Sequence, residues 1–387
     1  GVGWHWVLEM SKYFDLWVLT RESNRESIEG WFAENSIDNK PTFIYFDLPK
    51  KLRFWKKGLR GVRTYYMLWQ SLTNRLVKQT MQENGIEIYH LLTYGNALWP
   101  ASSYGQRQAF IWGPTSAGTY VDADFTKHYG FKNRAKEAAQ RLMAKTLTLN
   151  CGFKKRCKCA KLILCKTEQT RQSIPEEYRS KAVLFTDVAI DLFDTSKYVS
   201  KRKDDTVRYL AVGRLDSWRG FDLMIEAFAK ALKQNENLHL DILGKGSDRE
   251  RLQTLISKLN LEEKVVLRGH VTMEEYYQYM ADCDVVVNPT LKEGAVTTAF
   301  DSMSFATPMI CIDTGGYTRY FTHEYAEILQ IKSRATTIEN LTTSMLKLTD
   351  SSLREEMSKK IVAVRDNFIW ERKGEEIRDI ILKTINE

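Results

Sequence analysis

Long apolar runs are the first thing this sequence lacks. No uninterrupted stretch approaches the roughly 20 residues a membrane-spanning helix needs, so a soluble or peripheral protein is expected. Cysteine is scarce, with six in 387 residues, and a chain this long cannot rest on so few for a disulfide framework. Reduced thiols and the cytosol follow as expectations. Four of the six, Cys151, Cys157, Cys159 and Cys165, share one short basic stretch. Their spacing is not the paired C-x₂-C of a zinc site, and free thiols are the reading. No secretory leader is expected either, because Trp4-His5-Trp6 is followed at once by Glu9, Lys12 and Asp15. Seven prolines and 21 glycines, without repeats or low-complexity tracts, exclude collagenous and disordered classes.

What is present is globular: 43% apolar and 27% charged residues, enough for two or three domains with cores of their own. The formal net charge is +8, and all of that excess lies in residues 1–195. An anionic partner of that half is implied: nucleic acid, a phosphorylated substrate or an anionic membrane surface.

Short apolar runs alternate with amphipathic stretches along the whole chain. Strands are expected at 16–19, 42–46, 86–92, 109–112, 162–165 and 182–185. The alternation restarts with strands at 207–212, 239–243, 265–267, 284–287 and 309–312, and a helix over 220–231 carrying Phe221, Met224, Ile225 and Phe228 on one side. Such alternation predicts parallel sheets covered on both faces, an α/β class of two facing doubly wound, Rossmann-like domains with a cleft between them. The expected division is 1–197, 198–368, and a last helix over 369–387 crossing back to the first domain. The polar stretch 196–205 reads as the linker.

Glycines and polar residues collect just after the strands of the second unit, where doubly wound sheets bind ligands. Gly213-Arg214-Leu215-Asp216-Ser217-Trp218-Arg219-Gly220 puts a glycine at a strand end and two guanidinium groups before a helix. A tight turn, a helix N-terminus and arginines together can hold a diphosphate. Two surface arginines capping a sheet satisfy the bare pattern equally well. Lys292-Glu293-Gly294-Ala295-Val296-Thr297 offers bare backbone at a helix start, with Asp301 further along the helix. Carboxylates at 293 and 301 could grip the hydroxyls of a nucleotide sugar; alone, Glu293 also fits a cap favoured by the helix dipole.

Taken together, Gly213–Gly220, Glu293–Pro308 and Asp313–Gly316 resemble the signature of glycosyltransferase family 4 on the GT-B fold, and residues 3–9, 18–21, 24–25 and 110–114 resemble a subgroup often found in bacterial polysaccharide clusters. The family pattern runs G-R-L-x-x-x-K-G, then E-G-(F/A)-G-x-x-x-x-E, then D-x-G-G. The resemblance implies a retaining transferase that uses a nucleotide-sugar donor, UDP- or GDP-linked, without a metal or other cofactor. Arg214, Arg219 and Glu293 would be the catalytic set. Gly3, Gly213, Gly244, Lys245, Gly246, Arg268, Gly269, His270, Gly294, Ala295, Val296, Thr297 and Asp301 would line the donor. Arg219 stands where the family has Lys, and Asp301 where it has Glu. The strand that should precede Gly1-Val2-Gly3 in the family is absent, and the histidine usual near Trp112–Thr115 is missing; His90 and Trp112 are the acceptor-side candidates. Asp122-Ala123-Asp124 is read as a solvated loop, not a metal site. Rival readings are a nucleotide-sugar epimerase of the same architecture and a catalytically silent nucleotide-binding subunit of a transferase complex.

The N-terminal half also carries Lys50, Lys51, Arg53, Phe54, Trp55, Lys56, Lys57, Arg60 and Arg63, seven cations without an acid among aromatic residues. Basic residues attract anionic head groups and aromatics favour the interfacial belt, so contact with the inner face of the cell membrane is expected. The alternative is a solvated basic face. Nucleic acid is not expected as a partner, since no nucleic-acid motif accompanies the patch.

Overall fold

The structure, a computed structural model, describes residues 1–56, 58, 60–92, 95–97, 99, 108–191, 194–200, 202, 204–292 and 297–386. The C-terminal unit holds one parallel sheet of β7 (Val207–Val212), β8 (Leu238–Leu243), β9 (Val265–Gly269), β10 (Val285–Asn288), β11 (Met309–Asp313) and β12 (Ala326–Gln330). Their order is β12-β11-β10-β7-β8-β9. The chain winds outward from β7 through β8 to β9, then crosses over and winds the other way from β10. Its switch point lies between β7 and β10, and the carboxyl ends of those strands flank the crevice such sheets offer a ligand. The strands are apolar because both faces are covered: β10 is buried throughout, and the Phe221–Leu232 helix buries Phe221, Leu223, Met224, Ile225 and Phe228.

The expected α/β class of two doubly wound units is what the chain adopts, and the expected strands are found within a few residues. One strand was not anticipated. Ala326–Gln330 is an edge strand whose exposure alternates, and its five residues carry no run of apolar side chains.

The N-terminal unit departs from a single sheet. Here β1 (Trp17–Thr20) pairs with β2 (Thr42–Tyr45), while β3 (Ile88–Leu91), β4 (Ala109–Thr115), β5 (Ala160–Cys165) and β6 (Ala182–Leu184) form a separate parallel sheet. Among the described residues no ladder joins β1 to β3. A cavity of about 950 Å³ lies between them, lined by Trp6, Met10, Leu19, Phe43, Ile88 and Leu91 among others.

The last helix, Trp370–Asn386, packs on the first, Val2–Ser11. His5 stacks on Trp370 at 4.9 Å, the Arg378 guanidinium sits over Tyr13 at 4.8 Å, and a Cβ on Gly374 would meet Glu9 at 3.0 Å. Trp6, Met10, Leu162, Phe185, Trp370 and Ile377 share one buried cluster, so the two ends of the chain close one core. Among the described residues, no helix is long and apolar enough to cross a membrane.

Candidate active site

The site is built on backbone contacts that only glycine permits. Gly213 follows β7, and its N–H donates to Leu243 O at 3.0 Å. Gly244 has φ +135°, and a Cβ there would lie 1.9 Å from Gly213 O. The Gly244 N–H donates to Gly269 O at 2.6 Å, and Leu215 N–H to Lys245 O at 3.1 Å. The ends of β7, β8 and β9 are thereby knitted into one floor. Gly220, at φ +71°, starts the Phe221–Leu232 helix; a Cβ there would lie 2.1 Å from Pro289 O, beyond β10. Leu291 N–H donates to Trp218 O at 3.1 Å. The two loops flanking the switch point therefore touch.

Arg219 is half-buried on this floor. Its guanidinium stacks on Trp218 at 4.5 Å and lies where a Cβ on Gly213 would be 3.7 Å away. A forked cation, bare glycine backbone and a helix N-terminus thus converge at the end of β7, which suits a phosphate-bearing ligand. Arg214 shares the loop but is exposed, and its guanidinium hydrogen-bonds Asp216. On the facing loop Lys292 also lies over Trp218, at 5.1 Å. Its ammonium reaches across to the N-terminal unit and contacts both oxygens of buried Glu137 at 2.7 Å and Gln140 Oε1 at 2.6 Å.

Glu293, Gly294, Ala295 and Val296 lie outside the described residues. Thr297 opens the Thr297–Ser304 helix and is exposed. On that helix Asp301 accepts from Tyr276 Oη at 2.6 Å. Burial pushes its carboxyl up to about 6, and Asp191 adds to the rise, while the tyrosine bond opposes it. Lys245 and His270 are exposed, and a Cβ on Gly246 would strike Leu215 O at 2.2 Å. Arg268 binds Asp241 at 2.6 Å and sits over Tyr279. Burial would raise the Asp241 carboxyl, but His239 and Arg268 together hold it below its ordinary value. Arg268 is therefore tied into the sheet edge.

A second cavity, of about 310 Å³, lies between the two units, bounded by Tyr120, Phe125 and Gln169 on one side and Leu291, Asp313 and Gly315 on the other. Glu168 N–H donates to Gly315 O at 2.7 Å, so the Asp313–Gly316 stretch meets the N-terminal unit directly. Asp124, expected in a solvated loop, keeps an exposed side chain but lies in the short Ala123–Thr126 helix and accepts from Arg334 N at 2.8 Å, across the units. No group of three or more His, Cys, Asp or Glu side chains suited to a metal occurs among the described residues.

The acceptor-side candidates are placed otherwise than expected. Trp112 is 4% exposed, edge-on to Phe153 in the core of the sheet. His90 donates from Nε2 to Gly113 O at 2.7 Å and borders the larger cavity; burial pushes its imidazole down to about 4, which leaves the ring neutral. Gly3 lies in the first turn of the Val2–Ser11 helix, against the larger cavity.

The basic patch is partly self-engaged. Arg53 pairs with Asp47, Lys56 lies over Tyr65, and Arg63 over Trp99. Trp55 does not stand out to solvent, because its ring lies over Gly61, where a Cβ would be 2.6 Å away. Phe54 is 77% exposed, and Lys51 and Arg60 are exposed; Lys50 begins the Lys50–Arg53 helix, while Lys57 lies outside the described residues.

Residues 193–362 match the family "Glycosyl transferases group 1". Over 153 residues the chain is 31% identical to the N-acetylgalactosamine-N,N'-diacetylbacillosaminyl-diphospho-undecaprenol 4-alpha-N-acetylgalactosaminyltransferase of Campylobacter jejuni, covering 39% of this chain and 40% of that protein. Over 122 residues it is 33% identical to an uncharacterized glycosyltransferase of Methanocaldococcus jannaschii, covering 32% and 31%. The chain thus spans less than half the length of these curated relatives. Among solved structures, Anabaena Alr3699/HepE in complex with UDP superposes with TM-score 0.61 at 12% identity, over 99% of this chain and 96% of that one. The pneumococcal O-GlcNAc transferase GtfA, with UDP and GlcNAc, gives 0.56 at 15% identity, over 81% and 61%. The fold is therefore shared with solved glycosyltransferases of the GT-B type, and the group 1 glycosyltransferase match falls on the C-terminal unit.

Proposed function

We propose that this protein is a retaining glycosyltransferase that moves a sugar from a UDP- or GDP-sugar to a glycan or lipid-linked acceptor in cell-surface polysaccharide synthesis. The observation that carries the reading is Arg219, set on bare glycine backbone where the β7 and β10 loops meet. In the proposed reaction the donor diphosphate lies along Gly213 and Arg219. The bond from the anomeric carbon to the phosphate oxygen breaks, and the nucleoside diphosphate leaves with both electrons. The acceptor oxygen bonds the same face, and its proton passes to a donor phosphate oxygen. The protein's part is positioning and stabilising charge on the leaving group, for which Arg219 serves without a metal. Arg214 joins by exchanging Asp216 for phosphate, Asp301 takes the ribose hydroxyls, and Glu293 the sugar hydroxyls. Assays with a panel of UDP-, GDP- and ADP-sugars test this. UDP-sugars come first, because both solved relatives named above hold UDP. Replacing Arg219 or Glu293 by Ala should cut turnover by about a hundredfold and leave the melting temperature unchanged; a chain that binds no nucleotide or nucleotide sugar would refute the reading.

Peripheral docking on the anionic inner face of the cell membrane belongs to the same proposal. Beside Phe54, the Val62–Glu83 helix exposes Met67, Leu68 and Leu72 on a face that also carries Arg75 and Lys78. Such a face combines charge attraction with apolar insertion. Co-sedimentation with anionic liposomes at low salt should occur, weaken as salt screens the charges, and disappear when Lys51, Arg60 and Arg63 become Glu. Equal binding to neutral liposomes would contradict it.

A further inference from the structure

The Phe131–Lys145 helix belongs to the N-terminal unit, yet it holds both donor-side loops of the C-terminal unit. Asn133 Nδ2 donates to Ser217 Oγ at 2.8 Å, and Ser217 Oγ in turn donates to Asp248 Oδ1 at 3.0 Å. One turn along the helix, Glu137 and Gln140 close on Lys292. The side chains of Glu137 and Lys292 are 3% and 10% exposed, so this is a buried ion pair between units, not a surface one. Lys292 sits between that helix and Trp218, whose ring also carries the Arg219 guanidinium. Within the described residues, the contacts therefore run in one line: Glu137, Lys292, Trp218, Arg219.

We propose that Glu137 and Gln140 are positioning residues for the donor, acting through Lys292 to fix the loop after β10 against the Trp218–Arg219 turn. A buried ammonium must be matched by a carboxylate and further acceptors, and the helix supplies both from successive positions on one face. The match exists only when the two units are closed on each other. Donor affinity is thereby tied to closure of the cleft, through a helix that itself carries no donor-binding motif. This rests on the transferase reading for its kinetic consequence, but the clamp itself does not need a donor.

The test uses the full chain, Glu137→Gln, and the exchange of charge within the helix, Glu137→Gln with Gln140→Glu. Both positions reach the Lys292 ammonium, so the double variant returns a carboxylate to it. With UDP-glucose, UDP-N-acetylglucosamine and GDP-mannose as donor probes, Glu137→Gln should raise the donor KM about tenfold with kcat little changed, in keeping with the worth of a hydrogen bond to a charged group. The double variant should recover most of that loss. In parallel, without any nucleotide, the Leu291 amide should exchange its hydrogen faster in Glu137→Gln and return toward the wild-type rate in the double variant. An unchanged KM and unchanged Leu291 exchange in a folded Glu137→Gln protein would overturn the inference, as would a double variant that rescues neither. Should Glu137→Gln fail to fold, Gln140→Ala decides, with an expected threefold rise in KM from the loss of one acceptor. If wild type turns over no donor, the transferase reading fails, and the exchange measurement still decides the clamp.

Discussion

The two halves of the molecule share a strand-and-helix plan but are held together differently. The C-terminal unit is one six-stranded sheet with one continuous core, and its loops lie backbone against backbone at Gly213, Gly220, Gly244 and Gly246. Among the described residues the N-terminal unit is split into two ladders and two buried clusters, with a cavity of about 950 Å³, and this half carries the excess positive charge. Where main chain meets main chain, the amino acid is dictated and a motif results. Where side chains fill the space, many sequences serve, and the surface is free to specialise.

That contrast breaks first at the glycines. Gly244→Val drives a side chain into Gly213 O at a backbone conformation that disfavours it, and should cost more than about 4 kcal/mol, unfolding the C-terminal unit in calorimetry. Arg219→Ala comes next: kcat should fall by about 10²-fold, the scale of losing one charge-stabilising donor, with an unchanged melting temperature.

Lys373 sharpens the comparison on the N-terminal side. It is buried where the last helix meets Phe185, 4.3 Å from that ring, with Tyr320, Arg319, Glu376 and Asp187 around it; burial pushes its ammonium down to about 7. Between pH 7 and an ordinary lysine value of about 10.4, the folded state binds fewer protons than the unfolded one, so stability rises with pH across that window. Lys373→Met should therefore be about 2 kcal/mol more stable than wild type at pH 6 and lose most of that advantage by pH 10, as read by urea titration. Asp301 works the other way. Its raised carboxyl keeps a proton that the unfolded chain gives up, so the folded state loses stability as pH rises through about 4 to 6. With Asp301 on the ribose as proposed, donor affinity should drop about tenfold per unit below pH 6 in a titration calorimeter, and Tyr276→Phe should move that midpoint upward. The smallest effect is the counterpart of the first: Gly85→Ala has a positive φ but open space around it, and should cost about 1 kcal/mol.

What the sequence made legible follows the same division. The strands from β1 to β11 announce themselves as short apolar runs, and the glycine-bearing stations after β7, β8 and β9 stand together in space. Pairs of side chains far apart in the chain left no trace: Glu137 with Lys292, Tyr276 with Asp301, and Asp241 with Arg268. No periodicity marks such a pair, because each member looks like an ordinary charged or aromatic residue on its own helix or strand. Arg268, expected at the nucleotide, is paired with Asp241 at the end of β9. Trp112, expected on the acceptor side, is buried on β4 between β3 and β5, while His90, on the edge strand β3, donates to Gly113 O and borders the larger cavity. The gap between β1 and β3 was equally hidden, for an apolar strand reads alike whether one or both of its edges are paired.

The most direct test of the transferase reading is the release of nucleoside diphosphate from UDP-, GDP- and ADP-sugars by wild type and by folded Arg219→Ala. The account predicts steady release from at least one donor by wild type, and about a hundredfold less from the variant. Equal rates in the two proteins, or no release and no nucleotide binding by folded wild type, would contradict it.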